Sequence, residues 1–314
     1  MEVSRVKINM VLVKLSLLLL IVMAASPLNA QFIIEQKEYR LPVNYDLLPE
    51  NTEFENPADE AKYFLTLPEN KLKTGASEIK ESKSTVYLDE ENFAVDFESV
   101  GQGKVTSLFN VRKKVFYYIL WADKQVYKMT DEDIKQIQKD AQAMRDKMMA
   151  GLSPEMRKQM EAQMKKDAQT KKINVTATGK KQNISGFECS QYFAESEEDL
   201  KVIWATDDLP GLSKSLRKNF ERYMEQMQAI FPSEEGDSQD EWDLVDGKIP
   251  VEVRSMHSGM DMRGTPEIEV TLLTKIARQK PPAEKFIPPS AAEGFTYGSM
   301  KDMMSQMMNM MFEE

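Results

Sequence analysis

Residues 92–130 read NFAVDFESVGQGKVTSLFNVRKKVFYYILWADKQVYKMT, and this stretch decides the fold. Phe93, Val95 and Phe97 alternate with Ala94 and Asp96, the period of a strand with one face turned to a core. Val105 to Val111 and Val115 to Trp121 are short apolar, β-branched runs, and Val126, Tyr127 and Met129 close the series. Between the runs stand turn-forming clusters: Gly101-Gln102-Gly103, Arg112-Lys113-Lys114 and Ala122-Asp123-Lys124. Connections this short predict an antiparallel meander, because parallel neighbours need crossovers of about a dozen residues or more.

Working outward, Thr130 predicts a helix start, with Asp131, Glu132 and Asp133 in the first turn where acidic groups favour the dipole. Ile134, Ile137, Ala141, Met144 and Met148 follow at helical spacing, and Ser153-Pro154 restarts a second helix bearing Met156, Met160 and Met164. Strand character returns at Ile173–Thr178, Phe187–Phe193 and Val202–Trp204. Leu212 to Phe231 predicts an amphipathic helix with Leu216, Phe220, Tyr223, Met224 and Met227 on one side. Ile249–Val253 and Ile268–Leu272 predict paired strands across Ser258–Pro266. The tail predicts a helix over 299–314 with Met300, Met303, Met304, Met307, Met308 and Met311 on one face. The fold class is therefore α+β: an antiparallel sheet covered by amphipathic helices, one domain over 61–298 with a helical insertion at about 130–168.

The first thirty residues predict a compartment. Arg5, Lys7 and Lys14 precede the apolar run Leu15–Ala25, and small residues follow to Ala30, the order of a secretory signal peptide over 1–30. That run is too short to span a bilayer, so no stable transmembrane anchor is expected after cleavage. The predicted site is periplasmic or secreted. Residues 31–60, acidic and rich in Pro and Asn, predict a poorly ordered leader. The net charge of −10 argues against nucleic acid as a partner, since no basic footprint is present.

The chemistry on offer is narrow. His257 is the only histidine and Cys189 the only cysteine. No G-x-S-x-G elbow, P-loop or dinucleotide fingerprint occurs, so neither an enzyme nor a cofactor is expected. Cys189 lies in the alternating pattern Phe187, Cys189, Gln191 and predicts a buried thiol. The acidic run Asp237, Asp240, Glu241, Asp243, Asp246 lacks calcium-loop spacing. Met256, His257, Met260 and Met262 offer soft ligands for Cu(I) in a predicted loop. Methionine is the conspicuous residue: of 22, seven fall between Met300 and Met311. Thioether surfaces adapt to apolar partners of many shapes. Phe220, Met224, Met227, Met300, Met303, Met304, Met307 and Met311 are accordingly the candidate apolar-ligand residues. Self-association through the tail is the alternative use of the same surface.

One resemblance adds to this. Gly186, Cys189 and Tyr192 match a G-x-x-C-x-x-Y motif, and Trp204, Asp208 and Leu209 match W-x-x-x-D-L. The order resembles an exported bacterial family, the domain of unknown function 4412; the ending departs, with Ala291–Phe295 inserted. The family is similar in fold to lipoprotein carriers. The resemblance implies an incomplete antiparallel barrel closed by helices around an apolar cavity, holding a lipid or lipidated chain. It carries over no catalytic residue. Carriers of this kind keep an arginine that holds a lid, and the sequence singles out none.

Overall fold

The computed structural model describes residues 31–303 except 51, 53, 55, 75–78, 90, 100–102, 111, 154, 157, 159–172, 197–199, 208–243, 246 and 258–265. The predicted signal peptide, the stretch predicted as a helix bearing Phe220, Met224 and Met227, and Met304, Met307 and Met311 lie outside the described residues.

Twelve strands form a single curved sheet that does not close on itself. In chain order they are β1 (Phe32–Pro42), β2 (Lys80–Leu88), β3 (Asn92–Ser99), β4 (Gly103–Asn110), β5 (Val115–Leu120) and β6 (Gln125–Thr130). There follow β7 (Asn174–Ile184), β8 (Phe187–Glu195), β9 (Leu200–Thr206), β10 (Ile249–His257), β11 (Glu267–Ala277) and β12 (Thr296–Ser299). Their order across the sheet is β12-β6-β5-β4-β3-β2-β1-β11-β10-β9-β8-β7. The predicted meander is present as β3 to β6, with Phe93 opposite Phe109 and Phe109 opposite Phe116. A second meander, β7 to β11, carries the remaining predicted strands. Its first turn is Ser185-Gly186, where both residues have positive φ (52° and 89°) between the opposed pair Ile184 and Phe187. This mirror-image turn matches strand twist, and Gly186 meets its φ without a steric cost.

β1 corrects the expectation of a poorly ordered leader. Residues 32–42 pair with β2 on one side and β11 on the other, so this strand joins the two meanders. Its composition misled because buried residues fall on both faces: Ile34 on one, Tyr39 and Leu41 on the other. Glu35, Lys37, Glu38 and Arg40 between them read as solvated chain. A second correction concerns the edge, where β12 runs parallel to β6. The chain reaches that position by returning from β11 through residues 278–295, a crossover long enough for parallel pairing.

Helical cover is smaller than expected among the described residues. α1 (Pro57–Thr66) is capped by Asn56, which accepts from the Asp59 amide at 2.9 Å, with Pro57 at its start. α2 (Glu69–Leu72) follows directly. α3 (Asp131–Gly151) begins as predicted: Asp133 accepts from both the amide and the hydroxyl of Thr130, each at 2.8 Å.

Opposed residues in a ladder share a face, so the registers define a front and a back. Tyr39, Val202, Trp204, Glu252, Arg254, Ile268 and Val270 face front, and Ile34, Val86, Val95, Phe109, Phe116 and Met129 face back. The main core cluster takes residues from both faces. A smaller one joins back-face Tyr192, Ile203 and Val253 to Leu244 and Val245. Cys189 is fully buried, as its alternating pattern predicts.

Candidate functional site

The front face carries a network of paired charges. Arg254 donates to Glu252 Oε1 at 2.6 Å and to the carbonyls of Leu65 and Leu67 at 3.1 and 2.5 Å. Both charged side chains are nearly sealed from water, at 8% and 5% exposure. The guanidinium thus fastens the carbonyl end of α1 to β10, where cations suit the helix dipole. Beneath it Phe64, Leu65 and Leu72 are buried. Alongside, the Lys73 ammonium stands 4.3 Å over the Tyr39 ring and bonds to Glu69. Burial, with Glu69 close by, pushes the Tyr39 phenol far above its usual range. Burial works against ionisation of Glu69, but the Lys73 bond outweighs it and lowers that carboxyl. This arginine escaped the sequence reading. Its signal was there: Glu252 and Arg254, two apart in a strand otherwise apolar from Ile249 to Val253.

Farther along the front, a single carboxylate gathers three donors. Asp96 accepts from Thr106 Oγ1 at 2.6 Å and from Lys285 Nζ at 2.8 Å, and pairs with Lys104 at 3.0 Å. Burial alone would raise Asp96; these donors win and hold it below the ordinary carboxylate range. Lys285 belongs to the return segment, so the pair ties that segment to the sheet. Trp121 donates to Thr106 and meets Phe295 edge-on, which guides the chain into β12.

The back face differs at its centre. Gln36 lies opposite Ser84, and Glu38 lies opposite Ser82 on one side and Thr271 on the other. Arg40 lies opposite Glu269. Gln36, Ser84 and Thr271 are 3%, 4% and 7% exposed, and Ser107, two strands beyond Ser84, is 1% exposed. The amide nitrogen and oxygen of Gln36 and the hydroxyls of Ser84, Ser107 and Thr271 have no hydrogen-bond partner among the described residues. Buried polar groups are mostly hydrogen-bonded, so each of these is a candidate contact for a ligand or a water. Each unpaired buried group costs about 1–3 kcal/mol, so the row costs an appreciable part of the roughly 5–15 kcal/mol that stabilises a domain.

Around the row the surface is apolar: Ile34, Val86, Val95, Phe97, Val105 and Leu273 share the same face and are buried. Tyr118, opposite Ser107, is buried, and that burial pushes its phenol up to about 12. At the far end of the row one guanidinium stands between two carboxylates. Arg40 pairs with Glu269 and lies 3.8 Å from Glu38. An apolar field with a few convergent polar groups is the usual construction of a small-molecule site.

Of the candidate methionines, Met300 is fully buried and Met303 partly so, both packed against the main core cluster. Of the soft-metal set, Met256 is also packed against that cluster. His257 is not in a loop but ends β10, paired in register with Glu267; Met260 and Met262 lie outside the described residues. Among the described residues no three His, Cys, Asp or Glu side chains gather as a metal site. No described helix is long and apolar enough to cross a membrane.

No family model matches the chain, and no curated protein matches it. Among solved structures, it is similar to PNGF-II at 8% identity and a TM-score of 0.29, covering 86% of this chain and 31% of that one. It is also similar to MucB, from a complex with MucA(peri), at 5% identity and a TM-score of 0.31, covering 83% of this chain and 55% of that one. The chain spans about a third of the first and about half of the second. Likenesses this low assign neither a family nor a function.

Proposed function

We propose that the chain is an exported binding protein that holds an apolar ligand, a lipid or lipidated chain, against the back face of its sheet. The observation that carries the reading is the row Gln36, Ser84, Ser107 and Thr271, buried in an apolar field without partners. Packing alone would have favoured apolar residues at those positions, since replacing unpaired polar groups in a core is neutral or stabilising. Met300 and Met303, already packed against the main core, present thioethers of the kind that suits acyl chains. The motif resemblance to an exported family that is similar in fold to lipoprotein carriers points the same way.

The test is native mass spectrometry of the mature protein purified from expressing cells, then delipidated and offered 1-monoolein and oleate. Bound amphiphile on the isolated protein, or uptake of either probe at one per chain, is the expected result. A chain that is empty as isolated and takes up neither probe refutes the reading.

A further inference from the structure

We propose that the ligand has an uncharged, hydrogen-bonding head, of the acylglycerol type, seated on Gln36, Ser84 and Thr271, and that free fatty-acid anions are disfavoured. This rests on the binding reading above and adds the class of ligand. Three features of the same face lead to it.

The first is the kind of hydrogen bond on offer. The Gln36 amide supplies two N–H donors and a carbonyl acceptor, and each hydroxyl both donates and accepts. Both ends of the Gln36 amide are without partners, so a matching group must accept and donate. An ester carbonyl beside free hydroxyls does both. A carboxylate only accepts, and would leave the Gln36 oxygen unpaired.

The second is charge. Among the described residues the cation nearest the row is Arg40, which pairs with Glu269 through its Nη2 and has Glu38 at 3.8 Å, while its Nε makes no hydrogen bond. Lys80, opposite Arg40 on β2, pairs with Glu267 at 3.0 Å. With Glu38 and Glu269 both 8% exposed or less, a buried anion placed here would meet, among the described residues, two carboxylates that already share the one Arg40 guanidinium. A neutral head avoids that penalty.

The third is arrangement. Gln36 and Ser84 are directly opposed, and Thr271 lies diagonally across on the next strand. Opposed Cα atoms in such ladders are about 4.5–5.5 Å apart and diagonal ones about 7–8 Å, so the Gln36 amide stands between the two hydroxyls. Ile34, Val86, Phe97 and Leu273 adjoin them on the same face for the acyl chain.

Affinities of the full mature protein for 1-monoolein and for oleate at pH 8, below their aggregation limits, test this. The expected result is 1-monoolein tighter by about tenfold or more, since a site built for hydrogen bonds rejects a mismatched partner strongly. In the double variant Gln36→Leu/Ser84→Ala that preference falls to about threefold or less, with the melting temperature equal or higher because the unpaired groups are gone. Oleate binding as tightly as 1-monoolein overturns the proposal while leaving the apolar reading intact. So does a preference that survives unchanged in the double variant, which would mean that the row holds ordered water only. Binding of neither probe overturns the binding reading itself, and this proposal with it.

Discussion

Arg254 offers the sharpest quantitative test of how the sheet is braced. In Arg254→Met the methylene stem is kept, but the guanidinium and its bonds to Glu252, Leu65 and Leu67 are lost. Glu252, 4% exposed, is left as an uncompensated buried charge. Breaking a buried pair from one side costs about 3–5 kcal/mol, and most of that is the stranded partner. With a urea slope of about 3 kcal/mol/M for a chain of this size, the midpoint falls by roughly 1–1.7 M. In Glu252→Leu/Arg254→Met the stranded charge is removed as well. What remains is the loss of two donors to the end of α1, about 1 kcal/mol each. The double variant therefore recovers about 2 kcal/mol relative to the single one. Urea unfolding followed by tryptophan fluorescence measures both, and hydrogen exchange of α1 amides locates the effect. A single variant costing less than about 1 kcal/mol, or a double variant no better than the single, refutes the reasoning.

Two further outcomes follow from the same structure. Asp96 has a lowered folded pKa, so its contribution is present above the unfolded value of about 4 and is lost as pH falls through the folded one. Asp96→Asn is expected to be less stable than the native chain at pH 7, with the gap closing as pH falls to about 3 in urea titrations; a gap constant with pH contradicts the assignment. A chain that begins at Val43 lacks β1 and with it both ladders that join the meanders. It is expected to lose cooperative thermal unfolding and near-ultraviolet circular dichroism, whereas a sharp transition near the native midpoint would show that the halves join without it.

Most strands were legible because short apolar, β-branched runs stand between turn-forming clusters. Residues 93–129 alternate, turn clusters separate the runs, and the meander β3 to β6 follows from local pattern alone. The Thr130–Asp133 cap and the Ser185-Gly186 turn were equally local. β1 was not legible. Its charged residues Glu35, Lys37, Glu38 and Arg40 read as solvated chain, and three of them pair across the sheet: Lys37 with Glu81, Arg40 with Glu269, Glu35 with Lys275.

The candidate site divides in the same way. The methionine faces could be listed from the sequence, but of the ligand set only Met300 and Met303 fall among the described residues, packed against the core. The row Gln36, Ser84, Ser107 and Thr271 comes from four strands spread over 236 positions, from Gln36 to Thr271, and nothing in their spacing connects them. Arg254 reaches α1 carbonyls almost as far away in the chain.

The sequence by itself determined the α+β class, the antiparallel meanders, the acidic character and the narrowness of the chemistry, because each depends on composition or on neighbours within a few residues. Tertiary structure alone decided which strand joins the halves, which arginine braces α1 and which polar groups are buried without partners. Those depend on register between distant strands, and a register places side chains on a common face only once the sheet exists.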